Sequence, residues 1–408
     1  MPSLILCKSG VELRICIVYD GNMIPRYIKS ELQTQLLEFP IVTVLGPRQA
    51  GKTTLVRAVL PDFKYVSLEN PDTRALATND PRAFLKQYPT RVIFDEIQRA
   101  PHLLSYLQGI VDENNACGQF VLTGSHQLEL RESVTQSLAG RTGILHLLPL
   151  SIGELTAAGI VSDSVSEYLF KGFLPRVHSQ QQRPHVAYAT YFQSYIERDV
   201  RLLINLKNVV LFEKFIKLLA GRVGQIINFQ SLANDTGVDG KTIKEWLSIL
   251  EASYVIFRLP PYFENFGKRV IKTPKVYFTD TGLLCYLLGI ERIEQVARDP
   301  LIGSLFENLI ALEALKTRYN AGLTPNLYFF RDSQGHEIDL LHKRGHELFG
   351  IEIKSASTWH ASFKRALDTF HQKVHPLAQQ TVIYSGNAID FSDGVKAVNF
   401  KTVAEVML

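Results

Sequence analysis

The 408-residue sequence lacks the features that mark a secreted, membrane-spanning or repetitive protein. It has four cysteines, Cys7, Cys16, Cys117 and Cys285, scattered with no C-x-x-C pair. That excludes a disulfide scaffold and a zinc ribbon, and it fits a reducing cytoplasm. No apolar run reaches the length of a membrane span. The opening Leu4-Ile5-Leu6 run is too short and too soon interrupted for a secretory signal. Internal repeats and low-complexity tracts are missing, which excludes solenoids. A strong charge is missing too: the formal net charge is only +4, which permits nucleic-acid contact without arguing for it.

What is present is an ordinary globular composition, 46% hydrophobic and 21% charged, in a chain long enough for two or three domains. Its organising stretch is residues 46–54, Gly46, Pro47, Arg48, Gln49, Ala50, Gly51, Lys52, Thr53 and Thr54. The pattern is G-x-x-x-x-G-K-[ST], between the β-branched run Ile41-Val42-Thr43-Val44-Leu45 and a breaker-free helical run. Two glycines let the loop wrap its N–H groups around phosphates, and the helix N-terminus adds partial positive charge. Lys52 is then expected at the β- and γ-phosphates of ATP, and the Thr53 hydroxyl at one Mg²⁺ position.

Further strands are expected at Lys64-Tyr65-Val66-Ser67-Leu68, Arg91-Val92-Ile93-Phe94, Gln119-Phe120-Val121-Leu122-Thr123 and Ile144-Leu145-His146-Leu147-Leu148. Strands alternating with helices imply an α/β fold, a parallel sheet with helices on both faces and ligands at its carboxyl ends. Asp95 and Glu96 end one strand there. A buried carboxylate needs a partner or a metal, so Asp95 is expected in the Mg²⁺ shell and Glu96 as the base that orients water. Thr123 or Ser125 is placed to sense the γ-phosphate. Arg131 and Arg141 are the candidate cations for the transition state, Arg141 in its own site or a neighbour's.

These words resemble those of prokaryotic AAA-superfamily P-loop ATPases that carry a winged helix and a restriction-endonuclease-like carboxy-terminal domain. The matching words are residues 46–54, Phe94-Asp95-Glu96-Ile97-Gln98, Leu122-Thr123-Gly124-Ser125, residues 137–141, Leu148-Pro149-Leu150-Ser151 and Tyr195-Ile196-Glu197-Arg198-Asp199. The similarity runs from about residue 23 to the end. It implies ATP binding, with physiological substrates undefined for the family. The expected division is an extension over 1–22, an ATPase core over 23–155 and a helical lid or connector over 156–220. A winged helix-turn-helix over 221–295 and a nuclease-like α/β domain over 296–408 complete it.

In the region over 221–295 Gly237 separates two short helical patterns at helix–turn–helix spacing, with Tyr254-Val255-Ile256-Phe257 and Lys275-Val276-Tyr277-Phe278 as wing strands. Lys241, Thr242, Lys244 and Glu245 are its candidate DNA readers, and a purely protein-binding role stands beside that. Near the carboxy terminus, a hairpin centred between Gly345 and His346 puts Asp339 opposite Glu352 and Glu337 opposite Lys354. Alternation then gathers Asp339, Glu352 and Lys354 on one face. This D…E-x-K arrangement resembles metal-dependent restriction-type nucleases. The resemblance implies Mg²⁺ on Asp339 and Glu352, water positioned by Lys354, and Glu307 contributed from a preceding helix. A salt-bridge ladder or a fold without turnover is the alternative.

The expected function is therefore Mg²⁺-dependent ATP hydrolysis, coupled to DNA or to a protein partner, in a cytoplasmic protein open to homo-oligomer formation. The rivals are a nucleotide-gated regulatory module with little turnover and an ATP-gated nuclease.

Overall fold

The computed structural model describes residues 24–114, 116–125, 138–200, 209–262 and 273–408, apart from the side chains of 197–200, together with the backbone of 3–9 and 12–18. Those two early segments are β1 (Ser3–Ser9) and β2 (Glu12–Val18), an antiparallel pair.

The first large unit is a five-stranded sheet of β3 (Ile41–Leu45), β4 (Lys64–Ser67), β5 (Val92–Asp95), β6 (Phe120–Gly124) and β7 (Thr142–His146). Its order is β4-β5-β6-β3-β7 and every pair is parallel. This is the sheet of a P-loop NTPase. Strands buried on both faces read as continuous apolar runs, and β3 and β6 are buried at every position. Alternation still divides the side chains. Val42 and Val44 pack with Ile28, Leu32, Leu55 and Val56 under the Lys29–Glu38 and Lys52–Val59 helices. Ile41 and Leu45 join the opposite, larger core.

Helices follow, including Ile152–Ala157, Val165–Lys171, Pro184–Tyr191 and Val209–Ala220, with a π-helical stretch at Phe192–Val200. The Phe229–Thr236 and Gly240–Ala252 helices are capped by Asn228 and Asp239, whose side chains accept from Ser231 N–H (2.9 Å) and Thr242 N–H (2.7 Å). Between them Gly237 sits at φ 91°, a left-handed turn that suits glycine. Strands β8 (Ile256–Leu259) and β9 (Lys275–Phe278) pair antiparallel behind them.

The carboxy-terminal sheet comprises β10 (Leu327–Arg331), β11 (Glu337–Arg344), β12 (Glu347–Lys354), β13 (Gln379–Tyr384), β14 (Ile389–Asp390) and β15 (Lys396–Asn399), in the order β10-β11-β12-β13-β15-β14. Leu340 pairs with Ile351 and Arg344 with Glu347, the register of a turn at Gly345-His346. The Ile302–Asn320 helix covers one face and the Arg365–Lys373 helix the other.

That long helix also anchors to the segment after β7. Glu313 accepts from Ile152 N–H at 2.9 Å, and Lys316 Nζ donates to Leu150 O at 2.7 Å and to Glu313 at 2.9 Å, all buried. The Lys316 ammonium lies 3.7 Å from the Phe173 ring centre. Among the described residues no helix is long and apolar enough to cross a membrane.

Candidate functional site

Strand β3 delivers the chain to Gly46 at the carboxyl end of the sheet. A Cβ built on Gly46 would lie 2.0 Å from Leu147 O, so the close approach of a neighbouring backbone, as well as loop flexibility, demands glycine there. Gln49 and Gly51 take positive φ, 63° and 91°. Lys52 opens the helix and folds back, donating to Gly46 O (2.8 Å) and Pro47 O (2.9 Å). Burial pushes its pKa down, opposed by the charges of Glu96 and Asp95. Arg48 is half-buried with its Nη2 3.6 Å from Glu69 Oε1, while Gln49 and Thr54 are exposed.

Asp95 ends β5 and is 6% exposed. Burying a carboxylate is costly unless hydrogen bonds replace water, and three hydroxyls do so here. Thr53 Oγ1 lies 3.0 and 3.2 Å from its two oxygens, Tyr65 donates at 2.7 Å, and Thr123 donates from β6. Tyr65 was not singled out in the sequence. A phenol at the second position of a neighbouring strand gave no motif, and only strand order brings it to Asp95. Thr53 and Asp95 together present hard oxygen donors on one spot, a donor set that fits Mg²⁺ shared with substrate phosphates.

Glu96 takes a left-handed conformation, φ 59° and ψ 49°, uncommon for a non-glycine residue. Its N–H donates to Thr123 Oγ1 at 3.2 Å. Its Oε2 accepts from Ser125 Oγ at 3.1 Å and from Gln98 Nε2. Ser125 is fully buried just past the end of β6.

Arg26 is a further residue that sequence reading missed. Its guanidinium donates to Ala50 O (2.6 Å), Leu148 O (2.6 Å) and Glu154 Oε1 (3.0 Å). Glu154 also closes a capping box with Ser151. Arg26 therefore straps the phosphate loop to the segment after β7.

Arg141 lies away from its own phosphate loop, which leaves the neighbour's site of the two expected. It precedes β7, and Ile41 N–H donates to its carbonyl at 3.2 Å, so it sits at the amino-terminal edge of the sheet. Gly46 lies at the other edge. The Arg141 side chain grips Asp112 instead, Nε to Oδ1 at 2.6 Å and Nη2 to Oδ2 at 2.9 Å. It cannot serve its own protomer's site in this arrangement. The signal was available: Arg141 precedes its strand, whereas the phosphate loop follows its own. Arg131, and the side chains of Glu197, Arg198 and Asp199, lie outside the described residues.

In the carboxy-terminal unit, Asp339 Oδ2 accepts from Ile353 N–H at 2.8 Å. Lys354 Nζ is 2.5 Å from Glu352 Oε1 and 3.8 Å from Asp339. Glu307 reaches the same cluster, and its partner was not foreseen. Lys275, from β9 and 2% exposed, lies 2.8 Å from Glu307 and 2.5 Å from Glu337. Tyr277 also donates to Glu307, at 2.6 Å. Burial and then the Asp339 charge push the Glu352 carboxyl up to about 8. Among the described residues no group of three His, Cys, Asp or Glu side chains is arranged to hold a metal ion. The resemblance implied Mg²⁺ between Asp339 and Glu352; here the Lys354 ammonium lies against both.

An AAA domain matches residues 38–156. Two domains of unknown function match the remainder, DUF8612 over 162–294 and DUF4143 over 302–403. The proteins Rv2008c of Mycobacterium tuberculosis and Mb2031c of Mycobacterium bovis are each 32% identical over 376 residues, which is 90% of this chain and 82% of theirs. The chain belongs to their family. Protein MJ1637 of Methanocaldococcus jannaschii is more distant, 23% identical over 384 residues, 80% of this chain and 75% of its own. The Walker-type ATPase PABY2304 of Pyrococcus abyssi superposes with a TM-score of 0.43 at 14% identity, over 64% of this chain and 94% of its own. The chain thus has a P-loop NTPase fold, with an AAA domain over residues 38–156 and a DUF4143 domain over residues 302–403.

Proposed function

We propose that the chain hydrolyses ATP with Mg²⁺ at Lys52, Thr53, Asp95 and Glu96. The observation that carries this is the Thr53–Asp95 oxygen pair with Glu96 one residue on, all beside the phosphate loop. The loop N–H groups and Lys52 bind the β- and γ-phosphates. Bound Mg²⁺ supplies charge neutralisation on those phosphates, held by Thr53 and Asp95. Glu96 takes a proton from the attacking water, whose oxygen bonds to the γ-phosphorus in line. The bond from the γ-phosphorus to the bridging oxygen breaks, and ADP leaves with that electron pair. ATP titration and steady-state turnover test it. Lys52→Ala should weaken ATP binding about tenfold or more, the loss of a charge-assisted contact. Glu96→Gln should bind ATP and not turn it over; equal turnover would remove Glu96 as the base.

The partner side of the proposal is DNA contact through the winged helix-turn-helix. Lys241 and Lys244 are exposed on the Gly240–Ala252 helix while Ile243, Trp246 and Leu247 are buried, which supports an outward reading face. Glu245, next to Lys244 and also exposed, limits affinity, so binding should be modest and fall steeply with salt. A salt-insensitive titration would contradict it. The free thiols of Cys117 and Cys285 accord with a cytoplasmic setting.

For the nuclease-like domain we infer a charge-balanced module that does not cut. Three carboxylates, Glu307, Glu337 and Asp339, and the Glu352 carboxyl, which burial keeps protonated up to about 8, meet Lys275, Lys354 and Arg331. Two lysines support this reading: Lys275 bridges Glu307 and Glu337, and Lys354 meets Asp339 and Glu352, so the acids find their counter-charge within the chain. Plasmid should stay uncut with Mg²⁺ or Mn²⁺. Lys275→Met should gain an Asp339-dependent Mn²⁺ signal by electron paramagnetic resonance that the wild type lacks; cleavage by the wild type would overturn the inference.

A further inference from the structure

Resting on the reading of Glu96 as the base, we propose that Gln98 is the residue that positions it, and that Glu96 Oε1 is the oxygen that receives the water's proton. The left-handed turn at Glu96 is followed by one 3-10 turn, Ile97–Arg99, which brings Gln98 back beside the Glu96 side chain. An ionised carboxylate only accepts, so the Gln98 amide must present Nε2 to it. That Nε2 donates to Glu96 Oε2 and stands 3.1 Å from Ser125 Oγ, while Ser125 Oγ donates to the same Oε2. Two donors therefore converge on one oxygen. Oε1 takes no hydrogen bond from the described residues, and it is the atom left to accept a proton.

The direction of the clamp matters as well as its existence. Ser125 directly follows β6, the strand between β5 and the phosphate-loop strand β3. Bonding to Ser125 draws the Glu96 carboxylate sideways towards the loop. Glu96 is accordingly the carboxylate whose charge acts most strongly on Lys52. A glutamate side chain otherwise samples several rotamers, and fixing it in advance removes that entropy from the reaction barrier. Gln98 touches neither water nor phosphate in this scheme; it acts through Glu96. The proton passes from water to Oε1, the water oxygen bonds to phosphorus, and the electron pair of the broken phosphoanhydride bond stays on ADP.

Steady-state hydrolysis and nucleotide affinity, measured on the full chain, test the proposal. Gln98→Leu keeps the volume and removes the donor. It should lower kcat about ten- to a hundredfold while ATP affinity and Tm stay near the wild-type values. Ser125→Ala removes the second donor and should lower kcat in the same sense, and it decides the question if Gln98→Leu does not fold. Unchanged kcat in the folded variants, beside a dead Glu96→Gln, would overturn the positioning role. So would a parallel loss of ATP affinity and kcat, the mark of a merely structural residue. Wild-type turnover in Glu96→Gln would instead remove the base reading itself, a result distinct from either.

Discussion

The Tyr65 hydroxyl donates to Asp95 Oδ2 at 2.7 Å, across from the Thr53 hydroxyl on the same carboxylate. Burial and then Asp95 push the Tyr65 hydroxyl up to about 12, so it stays a donor through the working pH range. It fixes the carboxylate proposed to hold Mg²⁺. Tyr65→Phe should therefore raise the Mg²⁺ concentration for half-maximal turnover about tenfold while metal-free nucleotide binding is kept. A Mg²⁺ titration of ATP hydrolysis checks this, and an unchanged midpoint would leave Tyr65 a packing residue.

Arg141 is bound to Asp112 at the sheet edge opposite the phosphate loop. Arg141→Ala should leave ATP affinity unchanged, and at dilution, where protomers are apart, kcat as well. A fall in dilute kcat would show that the arginine reaches its own site. A fall that appears only as protein concentration rises would place it in a neighbour's.

The Glu313–Lys316 pair joins the carboxy-terminal helix to the segment behind the phosphate loop, and both residues are buried. Removing one member strands the other charge. Lys316→Met should destabilise the protein by about 3–5 kcal/mol, and adding Glu313→Gln should recover part of it. Denaturant unfolding of the single and double variants measures the coupling; strict additivity would refute it.

Glu352 carries a pH signature. A glutamate in an unfolded chain ionises near 4.3 (roughly). In the fold Glu352 keeps its proton up to about 8. Between those values the native state binds more protons than the unfolded one, so its contribution is full below the lower value and is lost as pH rises through the upper. Glu352→Gln should melt close to wild type near about pH 5 and above it near about pH 9. Parallel melting curves across that range would contradict the raised carboxyl.

Much of this was legible in local sequence because its causes are local. The phosphate loop follows from glycine and lysine spacing, the two helices on either side of Gly237 from one turn glycine, and the gathering of Asp339 and Glu352 around Lys354 from a two-residue period and one turn. The polar ends of β5 and β6 were readable for the same reason: parallel strands share their carboxyl edge.

Tertiary structure alone decided what crosses between elements. Tyr65 meets Asp95 because β4 lies beside β5, and Ser125 meets Glu96 because β6 lies between β5 and β3. Lys275 on β9 comes 32 residues before Glu307 on the Ile302–Asn320 helix, yet the two form one part-buried ion pair. Arg26 reaches Leu148 across 122 residues. Side-chain period and turn chemistry report a residue's own neighbours in the chain; strand order and packing between sheets are set by the burial of whole surfaces, which no short word in the sequence carries.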